Sequence, residues 1–293
     1  MVRSSRVVLV TDLDNTLYDF AAYYEAGISA LVAELEARLA IDSSTVTEKL
    51  RDVFTRHGSI EYPFAVEELP EVLELPRASR REVTRACLKA FWDAGSATIH
   101  PYPTVLRTLG HLQQENVAII GHTDAPIHEV LRRLRHLKLD RYLTGIVAQQ
   151  WFRRRPRSSQ AVYLTEVPGW SRPSRRFRPL WRIPVADLKP NAVMYRRIID
   201  DFGVAPRYVT VIGDSVARDL VPAVEAGCAA VWARYGRRSG VGGLMAEVVP
   251  HILPEVGMAE PADTSAIRRV DSFEGVLAYM ATQQVIDLSS EMP

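Results

Sequence analysis

The chain has 293 residues, 47% of them hydrophobic and 24% charged, with a net charge of +1. This length accommodates an α/β core plus a second module, and the composition is that of an ordinary globular protein. No apolar run approaches the roughly 20 residues that span a bilayer, and no secretory signal is evident, so we expect a cytoplasmic protein. The two cysteines, Cys87 and Cys228, are isolated in apolar surroundings, which excludes a disulfide framework and predicts two buried thiols.

Residues 6–11 are a short β-branched run that predicts a buried strand. From about residue 20 to 98 the apolar pattern is helical and shows no strand. One helix has Ile28, Leu31, Val32, Leu35 and Leu39 on a single face. Two more are predicted at 44–57 and 79–94, with Pro63, Pro70 and Pro76 breaking the stretch between them.

From about residue 99 strands and helices alternate, which predicts a doubly wound parallel sheet of the α/β class. The core is expected to comprise residues 1–19 and 99–293, and the helical block 20–98 to be a separate module inserted into it. Residues 236–264, rich in Gly and Pro, give no clear pattern. The predicted strands are 117–121, 142–148, 208–212, 229–233 and 267–271; the predicted helices are 104–115, 126–137, 191–202, 217–226 and 273–283.

An arginine-rich insertion, residues 151–186, interrupts this alternation. Residues 151–182 hold nine arginines and one acid, Glu166, so the segment carries +8 and the rest of the chain −7. Its prolines predict an irregular loop. The arginines and interleaved aromatic residues suit phosphate groups and bases, but the segment could equally fold back on the acidic remainder of the chain.

Polar residues stand just past the ends of the predicted strands, where open parallel sheets bind their ligands. Crowded carboxylates need a cation between them, and an oxygen-only set favours Mg²⁺. One such carboxylate could attack phosphorus, and a second, two residues on, could exchange protons with the leaving group and with water. The set comprises Asp12, Asp14, Thr123, Lys189, Asp214 and Asp219.

These residues lie in four segments that resemble the motifs of the haloacid dehalogenase (HAD) superfamily. The segments are DLDNT at 12–16, the hydrophobic strand leading into Thr123, LKP at 188–190, and GDSVARD at 213–219. The resemblance covers nearly the whole chain. It implies a Rossmann-like core, a helical cap inserted after the first motif, bound Mg²⁺ and an aspartyl-phosphate intermediate.

The resemblance also implies a role for each motif residue. Asp12 would be the nucleophile, Asp14 the general acid/base, and Thr123 a phosphate ligand, while Lys189 would steady the nucleophile and bind substrate. The metal would be held by Asp12, the backbone carbonyl of Asp14 and Asp214, supported by Asp219 and Thr16. Dehalogenases lack a carboxylate at the position of Asp14, so its presence favours phosphate-ester hydrolysis. Asp124 stands where an asparagine is frequent and is given no role.

We therefore expect a Mg²⁺-dependent phosphatase of small phosphorylated metabolites, with no membrane partner. A phosphatase acting on a nucleic-acid end or other polyanion, docked by the arginine-rich insertion, is an alternative, and a non-catalytic binding protein is a third. A cap of roughly 80 residues favours a small substrate. The sequence leaves open the leaving group, the oligomeric state, and whether His57, His122, Tyr23 or Tyr24 contacts substrate.

Overall fold

The computed structural model describes residues 7–149, 151–154, 161–164, 180–183, 187–236, 243–248, 265–283 and 286. The chain divides into two compact units. The first comprises Met1–Tyr18, His100–Arg237 and Ala259–Pro293, and the second Asp19–Ile99 and Arg238–Met258. Within the described ranges, no helix combines the length and hydrophobicity needed to cross a membrane.

The strands are β1 (Val8–Thr11), β2 (Ala118–Pro126), β3 (Gly145–Gln149), β4 (Trp151–Arg154), β5 (Ala161–Leu164), β6 (Leu180–Ile183), β7 (Val209–Gly213), β8 (Ala229–Ala233) and β9 (Ile267–Val270). Seven of them form one sheet in the order β6-β3-β2-β1-β7-β8-β9, with every neighbouring pair parallel. Strands β4 and β5 pair antiparallel in a separate two-stranded sheet.

The helices are α1 (Phe20–Leu39), α2 (Ser43–His57), α3 (Pro70–Glu74), α4 (Arg77–Thr98), α5 (Val105–Gln114), α6 (Ile127–His136), α7 (Ala192–Phe202), α8 (Val221–Glu225), α9 (Leu244–Val248) and α10 (Gly275–Thr282). A π-helical turn, Val216–Leu220, precedes α8. Single 3-10 turns occur at Val66–Glu68, Pro206–Tyr208 and Arg234–Gly236.

The core of the first unit is the central part of the parallel sheet and the helix α7 that covers it. All four residues of β1 are buried, and Val8 and Val10 cluster with Val209 and Val211 of β7 and Ile198 of α7. A strand buried on both faces is continuously hydrophobic, which explains the run in β1. The predicted doubly wound parallel sheet is confirmed.

The arginine-rich insertion differs from its prediction, which was an irregular loop. Three stretches within it are strands: β4, β5 and β6, the last forming an edge of the main sheet beside β3. Their sequences, WFRR, AVYL and LWRI, are rich in β-branched and aromatic residues that outweigh the flanking prolines. The roles predicted for the arginine and aromatic side chains of 151–182 lie outside what the structure describes.

The second unit packs α1 against α4. The predicted inward residues Ile28, Leu31, Val32 and Leu35 are buried, while Leu39 is half-buried. The short helix α3 begins at Pro70, one of the residues predicted to break the stretch; proline is favoured in the first turn of a helix because its missing N–H has no partner to lose there.

Helix α9 belongs to this unit because Glu25 of α1 accepts hydrogen bonds from the backbone N–H groups of Leu244 and Met245, at 3.0 and 2.7 Å. A carboxylate at a helix N-terminus satisfies amides that have no partner within the helix. The second unit therefore includes helix α9 in addition to Asp19–Ile99.

Candidate active site

The carboxyl ends of β1 and β7 bring Asp12 together with the motif that follows β7. The Lys189 ammonium lies 2.6 Å from Asp12 Oδ1 and 2.6 Å from Asp219 Oδ1. All three side chains are buried, with exposed fractions of 3% for Lys189 and Asp219 and 9% for Asp12. Buried charges persist only when they are paired, so the lysine bridges two carboxylates that would otherwise repel each other.

Three carboxylates converge at this point. One oxygen each from Asp12, Asp214 and Asp219 lies within 4.8 Å of the others, close enough to hold one metal ion. Lys189 occupies Oδ1 of Asp12, whereas Oδ2 is buried without a hydrogen-bond partner among the described residues. A buried acceptor lacking a donor, in a site of oxygen ligands, fits a hard cation such as Mg²⁺.

The charges of this cluster shift each other's ionisation. Burial raises the pKa of Asp12 to about 7, and repulsion from Asp219 and Asp14 adds to the effect, although Lys189 opposes it. Burial disfavours the Lys189 ammonium, but the attraction of Asp12 and Asp219 outweighs it and raises the lysine pKa well above its ordinary value. Lys189 is therefore a permanent cation.

Asp14 lies beside this cluster, with a hydrogen bond at one carboxylate oxygen and an ion pair at the other. The Thr123 hydroxyl donates to Oδ2 at 3.0 Å, and the Arg133 guanidinium lies 3.3 Å from Oδ1. Arg133 also donates from Nε to the Tyr18 hydroxyl at 3.3 Å. Sequence reasoning missed Arg133; its signal is its position on the buried face of α6, three residues after Val130.

Asp124 was given no role from sequence, but it connects two motifs. Its Oδ1 accepts the backbone N–H of Lys189 at 3.0 Å, and its Oδ2 accepts from Nη2 of Arg218. The Lys189–Pro190 peptide bond is cis. The Asp124 carboxylate therefore fixes the backbone that carries Lys189 relative to the turn that carries Asp219.

The turn after β1 is shaped by close backbone contacts. Asn15 has a left-handed backbone with φ of 59°. A Cβ added to Gly236 would overlap the Asn15 carbonyl oxygen, so only glycine fits there. Thr16 is buried, and its carbonyl accepts the Tyr235 hydroxyl at 2.8 Å. Thr16 thus lies in the fixed turn, while its predicted supporting role at the metal stays a prediction.

Three of the residues left open by the sequence lie within the second unit and are well packed there. Tyr23 and Tyr24 are buried, and both contact the Phe91 ring edge-on. His57 stacks on Tyr62, and its Nε2 lies 2.9 Å from an oxygen of Glu68.

His122 is 1% exposed, and neither ring nitrogen has a hydrogen-bond partner among the described residues. Its ring meets that of Tyr195 edge-on at 5.3 Å. Burial lowers the pKa of His122 well below its ordinary value, and the nearby cations Lys189 and Arg218 lower it further. The imidazole is therefore neutral.

Comparisons with known proteins identify the fold of this chain. Residues 188–251 match a family model described as HAD-hydrolase-like. A 2-haloacid dehalogenase from Pseudomonas syringae pv. Tomato DC3000 superposes with a TM-score of 0.59 at 15% identity, over 94% of this chain and 99% of that chain. The chain has the HAD fold. No curated protein matches it.

Phosphatases share this fold with the dehalogenase. A HAD phosphatase from Thermococcus onnurineus superposes with a TM-score of 0.55 at 16% identity, over 94% of this chain and 97% of that chain. A predicted phosphoglycolate phosphatase from Haemophilus somnus 129pt gives 0.50 at 17%, over 96% and 100%. The predicted resemblance to the HAD superfamily is thus confirmed, in fold for the chain and in sequence for 188–251. Fold alone does not assign the reaction.

Proposed function

We propose that the protein is a Mg²⁺-dependent phosphomonoester hydrolase that forms an aspartyl phosphate on Asp12 and acts on small phosphorylated metabolites. The observation that carries the proposal is the environment of the two carboxylate oxygens of Asp12. One of its oxygens is paired with Lys189, and the other is buried without a hydrogen-bond partner among the described residues, beside Asp214 and Asp219. Lys189 orients this carboxylate, so that one of its oxygens can attack phosphorus while the other faces the metal.

In the first step Asp12 attacks phosphorus, and the bond to the ester oxygen breaks. Asp14 gives a proton to that oxygen, so the leaving group departs as an alcohol. In the second step a water attacks the aspartyl phosphate, Asp14 takes back a proton, and Asp12 is released with inorganic phosphate. Lys189 holds Asp12 and, as a fixed cation, offsets the charge that develops on the phosphoryl oxygens.

Asp12, Asp214 and Asp219 are the side chains that would hold Mg²⁺, and the predicted ligand set adds the backbone carbonyl of Asp14. The bound ion would supply positive charge next to the phosphoryl group. Asp14 favours ester hydrolysis over dehalogenation because a displaced halide needs no proton, whereas an alkoxide leaving group does.

The test compares wild type with Asp12→Asn on p-nitrophenyl phosphate, a panel of phosphorylated metabolites and a 2-haloacid, with Mg²⁺ present. We expect hydrolysis of phosphate esters by wild type and none by Asp12→Asn, because the amide keeps the shape and loses the nucleophile. Mass spectrometry of a quenched reaction should find the phosphoryl group on Asp12. The matched control is Asp200→Asn, an exposed position on α7.

Halide release from the 2-haloacid without phosphate release from any ester would overturn the proposal in favour of a dehalogenase. Wild-type turnover by Asp12→Asn, with the substitution verified after purification to exclude deamidation, would overturn the covalent mechanism. Loss of activity in Asp200→Asn would show that the assay reports damage to the fold.

A further inference from the structure

Arg133 is a fully buried arginine, with 0% exposure, on the helix that follows β2. A guanidinium removed from water needs an anion or several acceptors. Its Nη2 lies 3.3 Å from Asp14 Oδ1, and its Nε donates to the Tyr18 hydroxyl at 3.3 Å. Glu129, on the same helix, is a further acid: burial opposes its ionisation, but the hydrogen bond from His128 and the charges of His128, Arg132 and Arg133 lower its pKa.

A hydrogen bond and an ion pair contact the two oxygens of Asp14 from different elements, and together they oppose rotation of the carboxylate. Thr123 holds Oδ2 from β2, and Arg133 lies against Oδ1 from α6. Tyr18, itself fully buried, fixes the guanidinium from the segment after β1. A group held from two sides by packed side chains keeps its geometry far better than a carboxylate free to turn at the end of a loop.

We propose that Arg133 is a positioning residue that holds the Asp14 carboxylate in the orientation needed for proton exchange with the leaving group and with water. This inference rests on the proposed phosphatase function. Arg133 does not touch the substrate in this scheme. It acts through Asp14, and Tyr18 in turn fixes Arg133.

The proposal makes a specific claim about leaving groups. Protonation of the ester oxygen matters greatly for an alkoxide and little for p-nitrophenolate, which departs readily as an anion. A misaligned Asp14 should therefore impair alkyl phosphates selectively. The appropriate quantity is kcat/KM, because it reports the steps up to release of the leaving group and is unaffected by the later hydrolysis of the aspartyl phosphate.

The experiment measures kcat/KM of wild type, Arg133→Met and Arg133→Lys with p-nitrophenyl phosphate and with the best alkyl phosphate of the metabolite panel. We expect Arg133→Met to lose roughly tenfold or more with the alkyl phosphate, a fraction of the 10²–10⁴ that general acid catalysis contributes, and little with p-nitrophenyl phosphate. Arg133→Lys should recover only part of the loss, because the positive charge beside Asp14 remains but the contact with Tyr18 does not. The control is Arg132→Met, half-exposed on the same helix.

A double-mutant cycle separates positioning from damage to the fold. In the Asp14→Asn background, Arg133→Met should change kcat/KM little, because no acid remains to be positioned. Equal losses for both substrates, or additive losses in the cycle, would overturn the proposal. If Arg133→Met does not fold, Arg133→Lys tests the proposal alone, through the same comparison of kcat/KM between the alkyl phosphate and p-nitrophenyl phosphate. Failure of wild type to hydrolyse either ester would instead refute the phosphatase function.

Discussion

The ammonium of Lys189 lies 2.6 Å from Oδ1 of Asp12, although 177 residues separate the two in the chain. The contact is possible because Asp12 follows β1, whereas Lys189 lies just before α7, which packs on the same sheet. Asp124 fixes the Lys189 backbone from a third segment. The fold therefore fixes the Lys189 ammonium beside the nucleophile in the absence of substrate.

The first prediction follows from this preorganised charge. Lys189→Met should lower kcat by roughly a hundredfold or more, since removing one preorganised donor costs on the order of 3 kcal/mol in the transition state. It also leaves Asp12 and Asp219 facing each other, which should reduce the free energy of unfolding. Steady-state kinetics and chemical denaturation measure the two effects. Lys89→Met, at an exposed lysine of the helical unit, is the control. An unchanged rate in Lys189→Met would show that Lys189 does not take part in catalysis.

The strand ends that carry Asp12 and Asp214 were predictable because the chain alternates between buried strands and helices, and parallel strands end on one edge. Arg133 was not predictable in the same way. Arg132 and Arg135 on the same helix have the same chemistry, and only the packing of α6 determines which guanidinium turns inward. The signal available in the sequence was a charged residue at the helical spacing of the buried apolar residues.

Long-range capping and the type of helix also could not be predicted from the sequence. Helix α9 depends on Glu25, more than 200 residues earlier, and no local pattern reports such a cap. The predicted helix 217–226 is divided into a π-helical turn and the shorter α8. Apolar spacing over one turn cannot separate these two geometries, and π-helical turns are frequent at functional sites.

The second prediction concerns the close approach of Gly236 to the turn that carries Asp14 and Thr16. Gly236→Ala should displace this turn, because the new methyl group would overlap the Asn15 carbonyl oxygen. Overpacking of this kind costs about 1–3 kcal/mol, and we expect a loss of about tenfold or more in kcat/KM together with lower stability. Kinetics and thermal unfolding test both.

Gly110→Ala is the matched control for that substitution. The added Cβ would be no closer than 3.8 Å to Tyr142, an ordinary contact, and the position lies within α5. Alanine in a helix interior is favoured over glycine by roughly 0.5–1 kcal/mol, so this variant should be as active as wild type and slightly more stable. Equal behaviour of the two alanine variants would contradict the steric argument.

The third prediction concerns the pH dependence of stability through His122. Its pKa is lowered well below the ordinary value in the folded protein, so below about pH 6.5 the unfolded chain binds a proton that the folded chain does not. The stability contributed by the neutral imidazole is complete above that pH and is lost as the pH falls. In His122→Gln the free energy of unfolding should decrease less steeply between pH 7 and 5, by up to about 1.4 kcal/mol per pH unit.

His100→Gln, which alters an exposed histidine, is the matched control for a histidine-to-glutamine substitution. Denaturant titrations at several pH values, in the same salt, provide the measurement. Identical profiles for wild type and His122→Gln would show that other groups carry the acid sensitivity.

The last prediction concerns the metal. EDTA should abolish phosphatase activity and Mg²⁺ should restore it, whereas Ca²⁺ should bind and support turnover poorly. Ca²⁺ takes more ligands at longer distances, which would misplace the Asp12 oxygen that attacks phosphorus. Binding can be followed without activity, because an ion that binds only the folded state raises its stability by about 2.7 kcal/mol at a hundred times Kd. Asp214→Ala should lose most of this Mg²⁺-dependent stabilisation and the rate together, while Asp200→Ala, exposed on α7, should keep both. If Asp214→Ala retained the full stabilisation by Mg²⁺, the ion would have to bind elsewhere, and the assignment of the three carboxylates as its ligands would be wrong.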